Sequence, residues 1–163
     1  MLLEAIRRLY VHHAEMTERL LDAASDMDAD DFKRELVAAQ RPIRETFVHI
    51  CSAQSAHLAT WSMLPDAPPW THTGVDASEL PDAAAVRQLW GAVRTGTDAF
   101  LGRLRGDADL DRRYRRTRTD GTVVERELWL GLLHVANHGT QHQAEIAVML
   151  TAVGRSPGDL DLL

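Results

Sequence analysis

His134, His138 and His142 recur at four-residue steps in the segment Leu133 to Gln143. On an α-helix, residues four apart lie one turn apart on the same face. Two imidazoles so placed reach one ion. His134 and His142 are about 12 Å apart along such a helix and do not share an ion. Spacing therefore leaves two ligand pairs open, His134 with His138 or His138 with His142. The face they share is apolar, with Leu128, Leu132, Val135, Ile146 and Met149 around it. A buried imidazole needs partners for its ring nitrogens. Metal coordination is one answer, and hydrogen bonding to other side chains is the other.

A third imidazole strengthens the metal reading. His49 sits in Phe47-Val48-His49-Ile50-Cys51, inside another apolar helical pattern. Helical bundles build metal sites from facing helices in this way. Three histidines leave a coordination position open, as catalytic sites do and closed structural zinc sites do not. Imidazole suits Zn, Ni, Fe or Cu. Other chemistries are excluded. Gly139 follows His138 where a zincin carries its glutamate base. No Gly-rich phosphate loop and no Gly-x-Ser-x-Gly elbow occurs. Cys51 lies two residues from His49, so it points to another face and reads as a small core residue. Glu45 and Glu145, one turn or less from a histidine, read as surface or capping charges. His57 and His72 are given no role.

Four helices must position these residues. The first spans Leu2 to Ala24, with Leu2, Ile6, Leu9, His13, Met16 and Leu20 on one face. Asp26 to Asp31 reads as a turn. The second helix opens at Pro42, a favoured first-turn residue, and ends near Met63 before Pro65, Pro68 and Pro69. Pro65 to Pro81 is a long loop, and loops of that length are often functional. Trp61 and Trp70 flank His72 there. The third helix runs from Asp82 to Leu104 and carries Gly91, Gly96 and Gly102. Glycine weakens a helix by up to ~1 kcal/mol relative to alanine, so close approach of a neighbour is a reason to keep them. Tyr114 to Val124 reads as a β-ribbon turning at Asp120-Gly121, with Thr119 before the turn. The fourth helix spans Glu125 to Ala152 and stops at Gly154 and Pro157. The fold expected is an all-α four-helix bundle with a crossover connection, taken to lie at the short β-ribbon before the last helix.

The 163 residues form one domain of ordinary size, 45% hydrophobic and 26% charged. A net charge of -6 gains nothing at phosphates and argues against nucleic acid. The basic run Arg112 to Arg118 reads as a solvated edge ribbon. One cysteine, Cys51, allows no internal disulfide and suits a reducing cytoplasm. Arg7 and Arg8 arrive too early for a signal-peptide core. No apolar run approaches the roughly 20 residues that span a bilayer.

Asn137-His138-Gly139-Thr140-Gln141-His142-Gln143, followed by an apolar helix and a Gly-x-x-Pro ending, resembles the DinB/YfiT-like family. His49 in Arg44-Glu45-Thr46-Phe47-Val48-His49-Ile50 matches that family's second-helix histidine. The likeness covers nearly the whole chain. It implies a four-helix bundle, often dimeric, with a divalent metal, Zn or Ni, held by His49, His138 and His142. It makes His134 a pocket or outer-sphere residue. Gln143 departs from the pattern, since a basic residue is frequent there. Similar proteins include transferases that use bacillithiol or mycothiol and a mycothiol-dependent maleylpyruvate isomerase. The isomerase carries an extra C-terminal domain, and this chain ends about ten residues beyond its last helix. Three functions follow as expectations: transfer of a low-molecular-weight thiol to an electrophile, metal-dependent hydrolysis, or a non-enzymatic metal-binding stress-response role.

Overall fold

The computed structural model describes residues 1–38, 40–71, 74–118 and 120–162. Its helices are α1 (Leu2–Ala24), α2 (Ala29–Lys33), α3 (Ile43–Trp61), α4 (Ala83–Arg103) and α5 (Leu128–Ala152). Strands β1 (Arg113–Thr117) and β2 (Val123–Glu127) form an antiparallel ribbon in which Tyr114 pairs with Arg126 and Arg116 with Val124. The architecture is the expected helical bundle with a ribbon before the last helix. His72 of the long loop and Thr119 of the ribbon lie outside the described residues.

Two boundaries differ from the sequence reading. The Asp-rich stretch read as a turn holds α2. Asp28 accepts a hydrogen bond from the Asp30 amide at 2.8 Å, and Asp30 and Asp31 occupy the first turn, where the helix dipole favours acids. Phe32 on this helix is buried and its ring lies 6.5 Å from that of Phe47. The last helix begins at Leu128 rather than near Glu125. Glu125 and Glu127 instead pair across the ribbon with Arg113 and Arg115.

Contacts along the helices fix their directions. Tyr10 Oη donates to Leu132 O, Gln143 Nε2 donates to His13 O, and Arg19 Nη2 donates to Pro157 O, so α1 and α5 are parallel. His49 meets His138 and His142 while His57 meets His134, so α3 is antiparallel to α5. Arg87 reaches Glu18 and Asp22, and Arg7 donates to Leu101 O and Leu104 O, so α4 is antiparallel to α1. It follows that α3 and α4 run the same way. The crossover therefore lies between them, in 62–82, and not at the ribbon. Its described residues, 62–71 and 74–82, form a strap. Trp70 Nε1 donates to Ser55 Oγ at 3.0 Å, and the Trp70 ring lies against Gly96, where a Cβ would strike it. Asp82 then caps α4 by accepting from the Ala85 amide. Gly91 and Gly102 have no such neighbour among the described residues, so close approach explains Gly96 alone of the three helix glycines.

The core includes Trp61, Trp90, Phe47, Ile6 and Leu20, all fully buried. A polar layer crosses it. Gln54 Nε2 donates to Thr97 Oγ1, and Gln143 Nε2 donates to His13 O and Thr17 Oγ1. Gly139 lets the His13 imidazole press on the α5 backbone, since a Cβ there would collide with the ring. No helix among the described residues is long and apolar enough to cross a membrane.

Two expectations follow. Gly139→Ala must displace His13 and is expected to destabilise the fold by about 1–3 kcal/mol, read as a lowered Tm. Burial, with smaller contributions from His12 and His138, holds His13 below its ordinary 6.5, at about 4. Burial, then Arg116, holds His57 at about 3. Both are neutral in the fold and take up protons on unfolding, so stability is full above pH 6.5 and falls as pH drops towards 4. Chemical denaturation of metal-free protein at several pH values measures this, and a flat profile would contradict it.

Candidate metal centre

Pro42 starts α3, which places His49 two turns in, on the side that meets α5. His138 and His142 project from α5 one turn apart. His49 Nε2 lies 3.1 Å from His138 Nε2, and His142 Nε2 lies 3.2 Å from His138 Nε2. All three ligand atoms fall within 4.8 Å of one another. Two imidazole nitrogens on a tetrahedral zinc ion are about 3.3 Å apart, so the observed spacings fit a shared ion. His49 and His138 are half-buried and His142 is buried, so the cluster opens on one side to the surface.

The chemistry of the donors also fits. His142 Nδ1 donates to Glu145 Oε2 at 2.7 Å, from a carboxylate three residues on. Burial alone would raise the Glu145 carboxyl, but its bonds from His142 and Gln141 and the charge of Arg41 hold it below the usual range, so it is ionised and accepts. The His142 proton therefore sits on Nδ1, and Nε2 presents a bare lone pair to the cluster. His138 Nε2 carries at most one proton against two neighbours, so hydrogen bonding alone leaves lone pairs crowded together. A cation receiving three lone pairs resolves the crowding. Burial lowers His138 to about 4, helped by His142 and His49, and burial, then Arg41, lowers His49 below 6.5. Both are neutral at pH 7, the state that binds metals.

A family model described as DinB family matches residues 1–163, the whole chain. The chain belongs to the DinB family. No curated protein matches it. In this DinB chain a single three-residue group of metal-ligating side chains occurs among the described residues, and it is the one above.

The remaining candidates fall elsewhere. His134 is exposed, its ring 6.2 Å from that of His138 and 5.6 Å from that of His57, and it lines a neighbouring cleft. His57, given no role by sequence, is buried and accepts a 2.7 Å hydrogen bond from Arg116 Nη1 at Nε2. Cys51 is buried and its thiol is pushed up to about 12 by burial. Gln143 ties α5 to α1 inside the core. Trp61 is core, stacked on Phe100, and Trp70 belongs to the strap. Sequence reading missed the orienting contact of Glu145. Its signal was present, because His-x-x-Glu on a helix brings both side chains to one face.

Glu145→Ala removes the acceptor that fixes the His142 tautomer. Imidazole nitrogen NMR is expected to show Nδ1–H dominant at His142 in the parent and a mixture in the variant. An unchanged tautomer would sink the assignment.

Proposed function

We propose that this DinB protein is a metal-dependent enzyme that transfers a low-molecular-weight thiol to an electrophile. The ion, Zn or Ni, would be held by His49, His138 and His142. The observation that carries the reading is the convergence of three Nε2 atoms on a site open at one side. A bound divalent ion supplies Lewis acidity, lowering the pKa of a thiol at its open position and orienting it.

The chain's own residues set the rest. His49 and His138 are neutral at pH 7, so a metal displaces no proton from them. Glu145 orients His142, as a carboxylate behind a ligating histidine does, and strengthens it as a donor. Cys51 is the only cysteine, and it is buried and protonated, so the chain offers no sulfur nucleophile of its own. The sulfur must come from a second molecule. In the transfer, a sulfur–carbon bond forms, the bond from that carbon to its leaving group breaks, and the thiol proton leaves to solvent. Hydrolysis at the same site would need a free general base. Glu45 is held by Arg44 Nη2 at 2.7 Å and Glu145 by His142, which weighs against it.

The test is elemental analysis of the purified chain together with a thiol–electrophile panel. About one divalent ion per chain is expected, lost in His49→Ala and His142→Ala. Conjugation is expected with metal and not after chelation. Glu145→Gln is expected to weaken metal affinity about 10- to 100-fold. Full metal content in both histidine variants would overturn the site. Metal without conjugation across the panel would overturn the transferase and leave a metal-binding module.

A further inference from the structure

The ribbon sorts its charges by face. Alternation along β1 and β2 puts Arg113, Arg115, Glu125 and Glu127 on one side. These four pair with each other: Arg113 Nε and Arg115 Nε donate to the two oxygens of Glu125, and Arg113 Nη1 donates to Glu127 Oε1 at 2.9 Å. The opposite side carries Tyr114, Arg116, Val124 and Arg126, and it turns towards the bundle. Tyr114 is buried there, its ring against Gly131 of α5 and Trp61 of α3. Arg116, Arg118 and Arg126 line an open cleft of about 570 Å³ between the ribbon, α3 and α5. That volume suits a small molecule.

Among the residues lining the cleft these three cations face one counter-charge, Asp120, which interacts with Arg118. Among the described residues, none of the three makes an ion pair. Asp120 is the one carboxylate lining the cleft, and its Oδ1 accepts from the Thr122 amide. Arg116 is anchored from beneath, because its Nη1 donates to the buried, neutral His57 and its remaining N–H groups stay available. The ribbon thus pairs its solvent-facing arginines with carboxylates, whereas Arg116 and Arg126 on the other face donate to neutral acceptors, His57 Nε2 and Glu125 O. The far wall of the cleft is His134, one turn before His138 on α5, about 6 Å along the axis.

We propose that this cleft is a carboxylate-binding subsite, in which Arg116 and Arg126 hold an acidic group of a small molecule whose reactive end lies at the three histidines. The planar guanidinium fork matches a carboxylate. Val124, Leu130 and Tyr114 offer apolar wall to its carbon chain. The chain's net charge of -6 makes a polyanion a poor occupant. The assignment deepens the thiol-transfer reading by giving one of its two substrates an acidic group. The cleft itself does not depend on the metal.

The test titrates the protein as purified with succinate, against sodium chloride at matched ionic strength. Histidine side-chain NMR provides the readout. Saturable shifts are expected at the His57 and His134 rings. Arg116→Ala and Arg126→Gln are each expected to weaken succinate binding about tenfold or more. Arg126 is exposed on β2, so its variant keeps the test valid if loss of Arg116 perturbs the fold. Metal content measured on the same samples separates failure of the metal site from failure of the subsite. No saturation, tighter binding of inorganic phosphate than of succinate, or full binding in Arg126→Gln would overturn the proposal.

Discussion

α3 and α5 lie antiparallel, and their seam brings His49 opposite His138 and His142. Much else follows from that crossing. Because α5 is parallel to α1, and α4 antiparallel to α1, the seam forces α3 and α4 to run together. A short turn cannot join parallel helices, so the chain returns along the bundle as the strap in 62–82. The same seam sets His57 beside His134, and so determines where the ribbon can dock and where its cleft opens.

The cluster also shows how a bundle prepares polar groups inside an apolar frame. Imidazoles lose hydration on burial and resist protonation, which is why His49 and His138 stay neutral. Glu145 adds direction at the outer edge without entering the cluster. The Gln143 contacts with His13 and Thr17 act differently. They tie α1 to the face of α5 behind the site and hold that helix in place.

Much of this was legible in sequence because it is local. Helical periodicity located the long helices within a few residues, and the Asp120-Gly121 pair marked the ribbon. What was not legible is what depends on meeting a distant segment. Four-residue spacing treated His134 and His142 alike, and only the height at which His49 crosses α5 separates them. The length of the loop after α3 was visible, but its path was not, since nothing local states that α3 and α4 are parallel. Asp28 to Asp31 misled because the acids that favour turns also favour helix starts, and burial of Phe32 decides between the two. The inward arginines could be named from alternation, yet which ribbon face meets the bundle is fixed by Tyr114 fitting against Gly131.

The burial of Cys51 has a consequence for redox chemistry. An exposed cysteine is open to capping by small-molecule disulfides in mixed disulfides. The single sulfhydryl of this chain is 1% exposed and is held far from its thiolate form. Exchange and stepwise oxidation both need an accessible thiolate. The one thiol of the chain is therefore shielded from exchange and stepwise oxidation, whereas the exposed Met63 thioether is not.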